Sequence, residues 1–259
     1  MNDTVSHQSQ VDNLTVRIHK TRASMGEDAS ALVRKQIKAL LPEQEFVNII
    51  FAAAPSQREF LKFLSEEEGI EWSRVNAFHM DEYIGLPDDA QQTFGNFLRC
   101  NIFDRVRFHT VNYLVGHCAD VEAECRRYSN LLKRFPPDIV CMGIGENAHI
   151  AFNDPHVADF KDPAFVKVVD LDLACRRQQV NDGCFSALDD VPGYAVTLTI
   201  PALLSARYIF CIVPGSNKAD AVYHTLNSVI DERYPSTILR THRDAILFLD
   251  EQSSLKLLR

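Results

Sequence analysis

Residues 138–155 read D-I-V-C-M-G-I-G-E-N-A-H-I-A-F-N-D-P. Ile139 to Met142 form an apolar run of β-formers that breaks at Gly143 and Gly145. That is the pattern of a buried strand ending in a turn where backbone comes close to a ligand. Asn147, His149, Asn153 and Asp154 follow at once. Open α/β sheets hold ligands at the carboxyl ends of their strands, so this polar cluster is the candidate active site.

Outward from it, apolar runs alternate with helical patterns. Upstream, the sequence predicts strands over 15–19, 46–54, 74–79 and 111–115 and helices over 29–41, 94–103 and 121–135. Ser56 and Glu59 have capping-box spacing, which predicts a further helix starting at Ser56. Downstream, strands are expected over 165–171, 195–200, 208–213 and 245–249, with a brief helix at 201–205 and another over 218–226. Residues 174–190 are mixed and polar, with Arg176, Arg177, Gln178 and Gln179. Repeated strand-then-helix units imply an α/β fold with a mostly parallel sheet and helices on both faces.

At 259 residues, 46% apolar and 24% charged, the chain can bury a full core and is read as one domain over 15–259. The polar N-terminus is read as a flexible tail over 1–14. A net charge of -8, from 27 basic and 35 acidic residues with no Lys/Arg-rich run, disfavours nucleic acid and favours a small ligand. The seven cysteines occur singly with no C-x-x-C pair, which suggests free thiols in a reducing compartment and neither a disulfide framework nor a zinc site. No stretch approaches the ~18 apolar residues of a membrane span, and no apolar leader stands at the start. A cytoplasmic protein without membrane contact is expected.

Gly143-x-Gly145-x-x-Ala148 matches the dinucleotide fingerprint, and Asp170 lies where an acidic ribose partner would fall. A Rossmann turn must open a packed helix, however, and Asn153, Asp154 and Pro155 interrupt this segment. A nicotinamide site is therefore not expected. A lone histidine at a sheet edge is usually a packed one. His149 has Asn147 two residues before it and Asp154 five after, and a carboxylate-oriented histidine moves protons near neutral pH. Asp81 and Glu82 follow the strand at 74–79 and precede Gly85, so they too should stand at the carboxyl edge. Together the two edges would make a two-group acid/base site.

F-H-M-D-E-Y-I-G-L at 78–86 and G-I-G-E-N-A-H-I-A-F-N-D-P at 143–155 resemble the two signatures of the glucosamine-6-phosphate deaminase/isomerase family, whose superfamily also holds 6-phosphogluconolactonases. The likeness runs from about residue 46 to 249 and includes P-G-S-N-K-A at 214–219 and S-T-I-L-R-T-H at 236–242. The sequence H-I-A-F-N after the second glycine favours the deaminase side. The resemblance implies a doubly wound sheet with a Rossmann-like core, an amino-sugar phosphate substrate, and need of neither metal nor organic cofactor. It implies that His149 opens the sugar ring, that Asp81 moves a proton between C2 and C1, and that Lys218 binds phosphate.

The chain also departs from that family. Where the family has an aspartate two residues before the histidine and a glutamate five after, this chain has Asn147 and Asp154. Asparagine positions without taking charge, and the aspartate arm is one methylene shorter, about 1.5 Å. The family's glycine- and threonine-rich phosphate loop is Ala52-Ala53-Ala54-Pro55-Ser56-Gln57 here. Ser56 and Gln57 at a helix N-terminus are the expected anion contacts. A family arginine falls on Cys184, with Arg176 or Arg177 as stand-ins. Glu82 and the Gly145 backbone complete the expected substrate contacts. Three functions fit this reading: an amino-sugar-phosphate deaminase/isomerase, a sugar-lactone hydrolase, and a non-catalytic sugar-phosphate-binding protein. Oligomeric state is open, with a homo-oligomer allowed.

Overall fold

The computed structural model describes residues 5–257. Its main sheet has eight strands. In spatial order they are β1 (Val5–Val11), β2 (Leu14–His19), β11 (Ala245–Asp250), β10 (Tyr208–Val213), β7 (Ile139–Met142), β3 (Val47–Phe51), β4 (Val75–His79) and β6 (Thr110–Asn112). All neighbours are parallel except the β1–β2 pair. The all-buried pattern of β3, β4 and β7 is that of strands covered on both faces. Alternate residues feed two separate cores: Ile50, Val140 and Met142 point to one, Ile49, Phe51, Ile139 and Cys141 to the other. The doubly wound α/β architecture is thus the one expected.

The chain runs outward from β3 through β4 to β6, then returns to β7 on the other side of β3. Strand order therefore reverses between β3 and β7, and the loops leaving their carboxyl ends diverge to leave a crevice. Both signature stretches lie on that edge.

Several expectations change. The tail read over 1–14 is not a tail where it is described: β1 pairs antiparallel with β2 from Val11↔Leu14 to Val5↔His19 and closes the sheet edge, while residues 1–4 lie outside the described residues. A polar hairpin partner needs only backbone bonds, which composition does not announce. Helix α1 (Arg22–Leu40) begins before residue 29, because Thr21 and Ser24 cap it reciprocally and Met25 enters the core. The Ser56–Glu59 capping box does not form. Pro55–Gln57 make a 3₁₀ turn, α2 (Arg58–Glu66) follows without a side-chain cap, and Glu59 pairs instead with Arg22 at 3.0 Å.

The strands expected over 165–171 and 195–200 are not in the parallel sheet. β8 (Val166–Asp170) and β9 (Tyr194–Leu198) form a small antiparallel sheet with β5 (Asp81–Tyr83), in the order β5-β9-β8. The polar run after residue 172 contains a helix, α5 (Leu173–Asn181), capped by Asp172. Among the described residues, no helix is long and apolar enough to cross a membrane.

Candidate active site

The small sheet braces the site. Asp81 pairs with Thr197 on β9, and the Leu198 N–H donates to Met80 O at 2.8 Å. The turn carrying His149 is tied to the same two β9 residues: Phe152 N donates to Thr197 Oγ1 at 3.0 Å, and Asn153 Nδ2 to Leu198 O at 2.8 Å. One strand therefore fixes the distance between two loops that leave different strands of the main sheet. Asp81 and His149 line a single solvent-open cleft, together with Ser56, Gly145, Gln178, Gln179 and Lys218.

The His149 turn is tightly specified. Ala148 (φ 67°) and Ala151 (φ 48°) both adopt left-handed backbone, a conformation costing about 1–2 kcal/mol for a residue with a side chain and common where function holds geometry. Gly145 lies against the imidazole, and a Cβ there would overlap the His149 ring. Its role is to make room for His149, a more direct need than the ligand contact expected of it. Asn147 accepts from the His149 N–H at 3.1 Å and donates Nδ2 to Asp154 Oδ1 at 2.9 Å and Asp172 Oδ2 at 3.3 Å.

Nδ1 of His149 stands 2.9 Å from Asp154 Oδ1. The two groups are in contact without the geometry of a directed hydrogen bond. Such contacts tighten when substrate arrives. Burial pushes the Asp154 carboxyl up, but the adjacent His149 ring and donors from Asn147 and the Asp172 N–H outweigh it and hold Asp154 below the usual range.

Asp81 is built differently. It is buried, and among the described residues its carboxylate accepts no hydrogen bond and joins no salt bridge. Burial, then the neighbouring Glu82, holds it well above the usual carboxylate range. A desolvated carboxylate with no partner in a cleft is a strong proton acceptor.

Lys218 ends a 3₁₀ turn at the start of α7 (Ala219–Asn227) and is 4% exposed, with no acidic partner within ion-pair distance among the described residues. Burial lowers its pKa, partly opposed by Asp182 and Glu146. Ser56 stands in the cleft wall as expected.

Other expected contacts fall elsewhere. The Glu82 carboxylate accepts from the Tyr83, Phe94 and Gly95 N–H groups at 2.9–3.0 Å and faces away from the cleft toward α3 (Phe94–Leu98). Gln57 is buried behind Gly143 and donates to Ile212 O at 3.0 Å. Arg176 donates to Leu188 O and Val191 O, anchoring the loop after α5, and Arg177 is exposed away from the cleft. Helical spacing explains this: with α5 set by its Asp172 cap, Gln178 and Gln179 turn inward in place of the arginines. Gln178 Oε1 accepts from Glu146 N at 2.8 Å and closes α5 onto the histidine turn. Only their place in the polar run could have marked these glutamines. His149, Asp154 and Cys175 bring ligand atoms within 4.8 Å of one another, as do Asp154, His156 and Asp172, and either set could hold a metal. Asn147 already supplies Asp154 and Asp172 with a hydrogen-bond partner.

The chain resembles known proteins over most of its length. A family described as glucosamine-6-phosphate isomerases/6-phosphogluconolactonase matches residues 20–248. A glucosamine-6-phosphate deaminase of an Exiguobacterium species is 32% identical over 238 residues, 92% of this chain and 89% of that one. One from Halothermothrix orenii is 29% identical over 245 residues, 93% and 99% of the two chains. Among solved structures, a monomeric glucosamine-6-phosphate deaminase superposes with TM-score 0.84 at 28% identity, covering 94% of this chain and 99% of that one. A 6-phosphogluconolactonase from Thermotoga maritima shares the fold, with TM-score 0.75 at 18% identity over 92% of this chain and 99% of that one. The chain belongs to the family of glucosamine-6-phosphate isomerases and 6-phosphogluconolactonases.

Proposed function

We propose that this chain is a deaminase/isomerase that converts an amino-sugar phosphate of the glucosamine 6-phosphate type to a ketose phosphate and ammonia. The observation that carries the reading is the pair of groups facing one cleft: the bare, buried carboxylate of Asp81 and the carboxylate-backed imidazole of His149. Proton abstraction α to a carbonyl needs a carboxylate at C2 and, before that, an open-chain aldehyde.

His149 moves a proton between the ring oxygen and the C1 hydroxyl, opening the ring. Asp81 takes the C2 proton, giving an enolamine, and returns a proton to C1. Water then adds at the resulting C2 imine and ammonia leaves. Asp154 stabilises the imidazolium as it forms, and Asn147 holds Asp154 in place. Lys218 and Ser56 receive the phosphate. The seven unpaired cysteines support a cytoplasmic setting.

A coupled ammonia assay with glucosamine 6-phosphate tests this. Ammonia release is expected, and Asp81→Asn should lower it by about 10²–10⁴-fold, the range of general acid–base catalysis. A chain that turns over no amino sugar, with or without the phosphate, sinks the reading. Lactone consumption by Asp81→Asn would favour the hydrolase instead.

A further inference from the structure

His79, the last residue of β4, is fully buried, and nothing in the proton-transfer scheme uses it. Its Nε2 lies 2.8 Å from the Leu114 N–H, and its Nδ1 lies 3.0 Å from Asp81 O. An amide N–H can only donate, so Nε2 must be the acceptor and the proton must sit on Nδ1. Nδ1 then donates to the carbonyl of Asp81. The two bonds together leave one tautomer and one ring orientation. A second proton would break the Leu114 bond, which agrees with burial bringing the His79 pKa down to about 4. His79 is therefore neutral at working pH and is not a proton shuttle.

Its own peptide is held as well. Tyr128 Oη, from α4 (Val121–Arg134), accepts from His79 N at 3.0 Å and donates to His79 O at 2.9 Å. The clamp sits where the chain leaves the main sheet at His79 and enters the small sheet at Asp81, with Met80 as the only residue between. Among the described residues no hydrogen bond steers the Asp81 carboxylate, so its aim is set by its backbone. Misplacing a reacting group by about 1 Å can cost 10²-fold in rate.

We propose that His79 is a positioning residue for Asp81: its Nδ1–H, set by the Leu114 amide on a peptide held by the Tyr128 hydroxyl, fixes the Asp81 peptide so that the base meets C2 of the substrate. The proposal rests on the deaminase reading above.

Two replacements separate this role from simple packing. His79→Asn keeps a donor at the Nδ1 position and loses the acceptor for Leu114; His79→Gln keeps an acceptor at the Nε2 position and loses the donor to Asp81. The expected result is that His79→Gln loses about tenfold or more in kcat with KM within about twofold, while His79→Asn stays within about threefold of the parent. Equal kcat losses in both, or a larger loss in His79→Asn, overturn it. If neither variant folds, as judged by thermal unfolding, Tyr128→Phe serves: a several-fold drop in kcat at constant KM supports the clamp, and unchanged kcat overturns it. A parent chain that releases no ammonia defeats the deaminase reading itself, whereas an active parent with indifferent His79 variants defeats only the positioning role.

Discussion

The two ends of the cleft are built by different means. At the acid/base end, Asp81 and His149 come from separate loops but are tied to the same residues of β9, and hydrogen bonds run from Asn147 through Asp154 to Asp172. At the end proposed to hold the anion, a single buried lysine stands beside a 3₁₀ turn and one serine hydroxyl. The difference fits the role proposed for each end. Proton transfer to carbon fails if the base is about 1 Å out of place, whereas a phosphate is held by charge and tolerates several arrangements of donors.

The sharpest way to break the contrast is Gly145→Ala. The added Cβ would occupy the space of the His149 ring, so the imidazole must move and kcat should fall by about 10³-fold, within the range ascribed to a general acid/base. A variant with near-parent kcat would mean that the ring position is not decisive.

The second test concerns Glu82, whose carboxyl burial pushes up to about 7 from 4.5 even though three backbone N–H groups oppose the shift. Its folded pKa is raised, so the folded chain binds the extra proton between those values. Stability from this group is full below about pH 4.5 and is lost as pH rises through about 7. Relative to Glu82→Gln, the parent should lose about 3 kcal/mol across that window, measured by urea unfolding at several pH values. Parallel profiles would show that Glu82 is not desolvated in the fold.

The smallest effect belongs to the anion end. Lys218→Met should raise KM for glucosamine 6-phosphate about tenfold with little change in kcat, and leave turnover of unphosphorylated glucosamine unaffected. A fall in kcat at constant KM would place Lys218 with the acid/base machinery and erase the distinction between the two ends.

The sequence by itself determined the α/β class, the central strand at 139–142, and Asp81, His149 and Lys218 as the groups to watch. The first four rest on a local signal, an apolar run broken by glycine or a titratable residue just past a strand end; Lys218 was marked only by the resemblance of P-G-S-N-K-A to the family. What surrounds those groups was decided by tertiary structure. Glu82 and Arg176 look as available as Asp81 in the chain, yet one caps α3 and the other holds the loop after α5. Residues 165–171 and 195–200 read as strands, but nothing local shows that they leave the main sheet to pair with Asp81–Tyr83. His79 reads as the end of a buried strand, and only the Leu114 amide, reached across the fold, leaves the Nδ1 proton for the Asp81 carbonyl and so fixes its tautomer. The physical reason is the same in each case: a side chain's chemistry is its own, but its partners, its burial and therefore its proton affinity come from residues distant along the chain.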